Sequence, residues 1–170
     1  LLAGLVSDTL NLTSPTTTAR DAEILAKLET ISGVNATEFT EKRFASGSVL
    51  TTKPAAQAIT TDCKEYLEGG RAFSVAQIEE LGFDQFWKRK AEVLTALEEH
   101  RAEHGYFFAA LLVTDVVLQS SLLLLAGAKT FVEKVDYPKL EPGIFQLDGV
   151  VSRKKQLLPY LTHALAQVKA

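Results

Sequence analysis

Methionine is absent from the 170 residues, and cysteine occurs once, as Cys63. A single cysteine excludes an intramolecular disulfide framework and any zinc site built from several cysteines. With only three histidines as well, the composition favours a reducing compartment, and we expect a cytoplasmic protein. Because a translated chain starts with methionine and this one opens on Leu1, we also expect a processed chain or a portion of a longer protein.

An excess of positive charge is also lacking. Lysine and arginine number 18 against 21 aspartates and glutamates, which gives a net charge of −3. A chain with this net charge has no overall positive charge with which to bind nucleic acid non-specifically. Hydrophobic residues make up 46% and charged residues 23% of the chain, as in ordinary globular domains, which excludes intrinsic disorder. The length predicts one domain or at most two small ones.

The most apolar stretch, residues 107–127, is interrupted by Asp115 and a polar run at its middle. A central aspartate costs about 2.5–3.5 kcal/mol on membrane-insertion scales, which argues against a bilayer-spanning helix. Two buried strands at 106–113 and 122–126, with a polar connection, describe the pattern better. We therefore expect no membrane association.

The remaining periodicity predicts an α/β (α+β) fold, in which a mixed β-sheet is flanked by helices and preceded by a small helical piece. Gly69-Gly70 lies between two strand-like runs and predicts a hairpin. A late strand or hairpin is expected at 144–151. Apolar spacing predicts helices at 22–31, 36–45, 54–59, 84–103, 129–134 and 154–168. The buried face of the longest helix is predicted to comprise Phe86, Trp87, Ala91, Leu94 and Leu97.

The most informative motif is Gly-Val-Val-Ser-Arg-Lys-Lys-Gln-Leu-Leu-Pro at 149–159. A strand runs into Ser152, a good helix N-cap, and the helix then opens with three cations. Since a helix N-terminus already carries about half a positive charge, Arg153 and Lys154 are unfavourable there without a bound anion. Free backbone N–H groups, an arginine fork and a lysine together suit a phosphate. The alternative is a solvated basic face at a helix start.

Two further residues are candidates for binding. Asp8, in Ser-Asp-Thr after an apolar run, could present a metal ligand at the edge of a buried element, or could cap a helix or turn. Lys64 could bind an anion or be an ordinary surface lysine. If its segment is a strand, Lys64 and Tyr66 share one face and Cys63 and Glu65 the other.

The other titratable residues point to structural roles. His100 and His104 are four apart on a predicted helix, but the glutamate lies beside the second histidine and no third ligand is near in sequence. We interpret them as a polar helix end. Asp115 is predicted to cap the turn after a buried strand.

Three segments in order along the chain resemble the DHH phosphoesterase superfamily, and more narrowly the manganese-dependent (family II) inorganic pyrophosphatases. The first is Leu-Val-Ser-Asp-Thr-Leu-Asn-Leu-Thr-Ser-Pro-Thr at 5–16, and the second is Asp-Cys-Lys-Glu-Tyr at 62–66. The third, Val-Val-Ser-Arg-Lys-Lys-Gln at 150–156, is similar to the substrate-binding signature of those enzymes. The 5–16 run also resembles the subgroup that can carry inserted regulatory CBS domains.

The resemblance implies a two-domain enzyme with its active site in the cleft between the domains. Carried over by position, Asp8 is expected to be a metal ligand, and Lys64, Arg153 and Lys154 are expected to bind the substrate phosphates. Residues 1–45 are expected to be a C-terminal remnant of the catalytic domain. Residues 46–50 are the expected hinge, and 51–170 the expected DHH-associated substrate-binding domain.

The sequence also departs from the resembled family, because the Asp-His-His motif and the other metal-binding residues of the first domain are missing. A metal that activates water needs several ligands, and Asp8 alone cannot fix one. We therefore expect manganese (or magnesium or cobalt) in a full-length parent, tight metal binding by this chain to be absent, and this portion to be inactive alone. Family members commonly form homodimers through the first domain, so this portion is expected to be a monomer.

Two other functions are open at this point. A related phosphoesterase, such as an exopolyphosphatase, would use the same cations, since they recognise phosphate without setting chain length. A stand-alone anion-binding module that never meets a metal is the alternative outside the enzymes. In each case the expected partner is pyrophosphate or another phosphate, not a nucleic acid.

Overall fold

The structure is a computed structural model that describes residues 1–9, 11–14 and 16–168, with the backbone alone for residues 41 and 43–47. Helices precede the sheet in the chain. They are α1 (Leu2–Thr9), α2 (Ala19–Ser32), α3 (Ala36–Gly47), α4 (Val49–Thr52) and α5 (Ala55–Ala58). Among the described residues, none of the helices has both the length and the apolar composition to cross a bilayer.

The remaining elements build one six-stranded mixed sheet with the order β1-β2-β3-β4-β6-β5. Only β2 and β3 run parallel, joined by the crossover helix α6, and the other neighbours are antiparallel. This arrangement follows from connection length, because a parallel pair needs a long crossover. The elements are β1 (Cys63–Glu68), β2 (Arg71–Glu80), α6 (Asp84–His104), β3 (Phe108–Asp115), β4 (Ser120–Gly127), α7 (Lys129–Val132), β5 (Lys139–Glu141), β6 (Ile144–Asp148), a π-helical turn (Arg153–Leu157) and α8 (Leu158–Ala166).

Both faces of the sheet are covered, which is why every residue of β3 is buried. On one face, which we call the α8 face, the π-helical turn, α7 and α8 pack on residues such as Phe73, Phe108 and Leu123. On the other face, α4, α5 and α6 pack on residues such as Ile78, Leu111 and Leu124. Gln77 lies on the α8 face, because it follows Phe73 and Val75 by four and two residues along β2 and every second residue of a strand lies on the same face.

The first three helices form a small cluster of their own around Val6, Leu25 and Ala36. α3 ends at Gly47 and α4 begins at Val49, so Ser48 alone separates them. Hydrogen bonds join the start of α4 to β2 and α6. Leu50 N–H donates to Glu80 Oε1 of β2 at 3.1 Å, and the Arg89 guanidinium of α6 donates to the carbonyl oxygen of Leu50.

The predicted mixed sheet with flanking helices is confirmed, and so are the Gly69-Gly70 hairpin and the two strands around the polar connection. The predicted face of α6 is partly wrong. Ala91 is exposed and Trp87 is 36% exposed, while Val93 and Ala96 are buried instead. The late strand ends at Asp148 rather than at 151, because Gly149 turns the chain with a φ of 72°.

Candidate functional site

A cavity of about 200 Å³ lies where α1, the loop after it, β2 and the segment after β6 meet. It brings Asp8 together with Arg153 and Lys154, which lie far from Asp8 in the sequence. Its walls are formed by Ser7, Asp8, Ser14, Thr16, Gln77, Glu79, Val151, Ser152, Arg153 and Lys154. Three of the four predicted site residues therefore share one cavity, and Lys64 does not line it.

The helix start beside this cavity is held rigidly by its own side chains. Ser152 Oγ accepts from Lys155 N–H at 3.3 Å, as an N-cap does. Gln156 Oε1 accepts from the N–H groups of Val151 and Ser152, each at 3.0 Å. Leu157 N–H reaches back to Ser152 O at 3.1 Å, which makes this turn π-helical. Such π-turns are frequent at functional sites.

The expectation that several backbone N–H groups are free at this helix start is wrong. The backbone N–H groups of Val151, Ser152 and Lys155 already donate to side-chain oxygens. The Arg153 N–H donates to Gln77 Oε1 at 3.1 Å. Within the described part of the chain, the Lys154 N–H is the one at this start with no acceptor. Any anion bound here would therefore rely mainly on side-chain cations.

Gln77, which the sequence did not single out, joins the sheet to this turn. Its amide nitrogen donates to Thr114 Oγ1 at 3.1 Å and to Val151 O at 3.0 Å, while its oxygen accepts from Arg153 N–H. Ser121 Oγ adds a second tie from the sheet, to Val150 O at 2.5 Å. The available signal was a polar residue on the same face of β2 as Phe73 and Val75, at the next position of that face.

We expect replacement of Gln77 with alanine to lower the free energy of unfolding by about 1–3 kcal/mol, because Thr114, Val151 and Arg153 lose their partner in a partly buried hydrogen-bond network. Urea denaturation would measure the change. Gln57→Ala is the matched control, since the Gln57 side chain is exposed on α5. Equal, small losses for the two variants would show that Gln77 does not hold the turn.

The Arg153 side chain is only 13% exposed. Its Nη1 lies 3.0 Å from Asp62 Oδ1 and also donates to the carbonyl oxygen of Asp62. Its Nε is buried and has no acceptor among the residues that the structure describes. The guanidinium thus has one nitrogen held by Asp62 and a further donor that no described group satisfies.

Lys154 and Lys64 are both exposed. Neither ammonium group has an ion-pair partner among the described residues. Lys64 lies on β1 opposite Val75, so it is on the α8 face, two residues from Asp62, which holds Arg153. Alternate residues of a strand are about 7 Å apart, so Lys64 lies about that far from the residue that contacts Arg153, and it is not part of the cavity wall.

Asp8 is on α1 and faces the same cavity as the cations. The loop after α1 is organised beside it: Thr16 Oγ1 donates to Asp8 O at 3.4 Å and lies 2.8 Å from Ser14 Oγ. In residues 1–9, 11–14 and 16–168, no three histidine, cysteine, aspartate or glutamate side chains are grouped closely enough to hold a metal ion. Glu79 is the second carboxylate that lines this cavity, and the hydroxyl groups of Ser7, Ser14 and Thr16 lie beside Asp8 in its wall.

The other titratable residues have structural contacts. Asp115 Oδ1 accepts from Val117 and Leu118 N–H at 2.9 and 3.2 Å, which confirms its prediction as a turn cap. Cys63 Sγ lies 3.9 Å from His100 Nε2, on the side of the sheet away from the cavity. Burial raises the pKa of the Cys63 thiol, so the neutral thiol is favoured.

Comparison with known proteins places this geometry in context. A sequence model of the DHHA2 domain matches residues 42–164. This range contains Lys64, Gln77, Arg153 and Lys154, and it leaves out Asp8.

Curated relatives extend the match over nearly the whole chain. A probable manganese-dependent inorganic pyrophosphatase of Streptococcus equi subsp. equi (strain 4047) is 38% identical over 167 residues, covering 96% of this chain and 53% of the relative. The protein of the same name from Streptococcus agalactiae serotype III (strain NEM316) is 38% identical over 165 residues. The chain thus spans about half the length of the curated relatives it matches.

A solved structure agrees with the sequence comparison. A Methanococcus jannaschii protein assigned to the family II inorganic pyrophosphatases superposes with a TM-score of 0.82 at 33% identity. The superposition covers 96% of this chain and 53% of the Methanococcus chain.

Proposed function

Because this chain belongs to the DHHA2 domain family, we propose that it supplies the phosphate-binding part of a manganese-dependent inorganic pyrophosphatase, which hydrolyses pyrophosphate to two phosphates. The observation that carries the proposal is the shared cavity of Asp8, Arg153 and Lys154. The names of the curated relatives and of the superposed structure support the choice of substrate.

The cations in this chain act by binding and by charge stabilisation. In pyrophosphate hydrolysis, water attacks one phosphorus atom and the bond from that atom to the bridging oxygen breaks. Negative charge then grows on the leaving phosphate. A guanidinium and an ammonium held in fixed positions offset that charge and keep the two phosphoryl groups in line. Arg153, with its main-chain N–H bonded to Gln77, is the better fixed of the two.

The described residues do not fit a manganese site of their own, because no three potential ligands are grouped in the described ranges and the cavity wall offers two carboxylates, Asp8 and Glu79. In the proposal, Asp8 contributes one ligand, and the other ligands come from parts of the whole protein outside these residues. The same reasoning leads us to expect this chain to be inactive alone.

We propose residues 46–50 as the hinge between a catalytic-domain segment (1–45) and the substrate-binding domain (51–170). Two observations support a pivot near Ser48. It is the single residue between α3 and α4, and Glu80 and Arg89 fix the main chain immediately after it, at Leu50. Rotation about this point would change the distance between the two sets of site residues, which share one cavity in this structure.

The proposal includes the setting of the protein. We place it in the cytoplasm, consistent with the free Cys63. Pyrophosphate or phosphate is the proposed partner, without nucleic acid or membrane. A homodimer is proposed for the full-length parent and a monomer for this chain.

Titration of the isotopically labelled chain with inorganic pyrophosphate, followed by NMR, tests the phosphate site. We expect the largest shifts at the Lys154 N–H and the Arg153 Nε–H, with smaller ones at Gln77 and Asp8. Inorganic sulfate at equal ionic strength should bind more weakly, since it carries less charge. Shifts confined to surfaces away from the cavity, or none, would contradict the proposal.

A further inference from the structure

We propose that Asp62 competes with bound phosphate for Arg153 and thereby limits how tightly the site holds its ligand. This inference rests on the proposed function and assigns a tuning residue to the same site. The Asp62 carboxylate forms an ion pair with the Arg153 guanidinium, with Oδ1 3.0 Å from Nη1. A phosphate oxygen would seek the same kind of contact, because arginine binds carboxylates and phosphates with the same fork.

The two partners of this ion pair differ in exposure. The Asp62 side chain is 53% exposed and that of Arg153 13% exposed. The carboxylate can therefore turn into water at little cost, while the guanidinium stays beside the cavity. Pairs with an exposed member contribute little free energy, so a phosphate with several negative charges can displace the carboxylate. When the phosphate leaves, Asp62 re-forms the pair, which favours product release.

The main chain, and not the Asp62 carboxylate, positions Arg153. The same Nη1 donates to the carbonyl oxygen of Asp62, and that carbonyl is itself fixed by a bond from Gln77 N–H at 3.0 Å. These contacts do not depend on the side chain at position 62. Neutralising the carboxylate therefore removes a competitor and a repelling charge, while it leaves the guanidinium in place.

Replacement of Asp62 with asparagine tests the sign of the effect. If Asp62 competes, the variant should bind inorganic pyrophosphate about two- to fivefold more tightly, the range expected for a partly exposed pair. Isothermal titration calorimetry of the chain at fixed ionic strength would measure the affinity, and orthophosphate should show a gain as well. A positioning role for the carboxylate predicts weaker binding. Unchanged or weaker binding by D62N would overturn the inference.

Two controls make the result specific. Glu68→Gln removes the same charge from the exposed far end of β1 and should leave the affinity unchanged; an equal gain there would show a general charge effect and refute the competition. In an Arg153→Gln background, the D62N gain should disappear, because the contested donor is gone. Thermal unfolding checks that each variant is folded, and Asp62→Ser serves as a second neutral variant.

The outcomes separate this inference from the proposed function. If R153Q weakens binding and D62N does not strengthen it, the phosphate site stands and the competition is refuted. If R153Q leaves the wild-type affinity unchanged, or if the wild-type chain binds no pyrophosphate, the proposed function fails and this inference fails with it.

Discussion

Replacement of Arg153 with glutamine is expected to lower the affinity of the chain for inorganic pyrophosphate by about tenfold or more. Hydrogen bonds to charged groups contribute about 1.5–3 kcal/mol each, and about 1.4 kcal/mol corresponds to a factor of ten. Glutamine keeps a polar side chain but loses the charge and the fork. Titration calorimetry with pyrophosphate would measure the affinity. In the full-length enzyme of the proposal, pyrophosphate turnover should also fall sharply.

Two variants show whether the loss reflects the arginine geometry. Arg153→Lys keeps the charge without the planar fork, so its affinity should lie between those of the wild type and R153Q. Lys155→Gln removes the neighbouring charge from an exposed residue that does not line the cavity. A loss in K155Q as large as that in R153Q would mean that the basic segment acts only through its overall charge.

The cationic side of the site could be predicted because its signal is local. Ser152 is an N-cap by sequence, and the first two of the three cations that follow it, Arg153 and Lys154, lie where the helix dipole is unfavourable for them. The structure places both residues at one cavity with Asp8. Asp8 and Arg153 are more than 140 residues apart in the sequence, and no local sequence pattern indicates that they meet. Only the family resemblance could therefore predict that they share a site.

The occupancy of the helix start could not be predicted for a related reason. Gln156 reaches back to the N–H groups of Val151 and Ser152, and Gln77 reaches across from β2 to Arg153 N–H. The sequence does not indicate which backbone group a glutamine side chain will contact. The same holds for Asp62, which lies 91 residues from Arg153 along the chain.

The fold was more predictable than the site, because burial imposes periodicity. The continuous apolar run of β3 correctly indicated a strand covered on both faces. For α6, the exact face was missed, since Val93 and Ala96 face the sheet in place of Trp87 and Ala91. Trp87 instead lies on the outer side, where Lys90 Nζ is 5.6 Å from its ring centroid. A cation over an aromatic face stabilises such an exposed ring.

Replacement of Phe108 with alanine is expected to lower the free energy of unfolding by about 3–5 kcal/mol. Phe108 is fully buried and is the middle ring of a stack, with centroids 4.5 Å from Phe73 and 4.2 Å from Phe131. Truncation would leave both neighbouring rings facing a cavity. Domains of this kind are stable by only about 5–15 kcal/mol in total, so urea denaturation should show a large fall in the midpoint.

The neighbouring Phe107 provides the control, because it is only half-buried and its ring is 6.1 Å from that of Phe131. Phe107→Ala should cost less than Phe108→Ala, since less apolar surface is lost and water can fill the space. Gly127, the partner of Phe108 on β4, has no side chain that could move into the space left by the ring. It pairs with Phe108 across β3 and β4, and a Cβ at position 127 would lie 2.8 Å from Phe108 Cβ. A loss for Phe108→Ala no greater than that for Phe107→Ala would show that the ring stack does not hold the α8 face together.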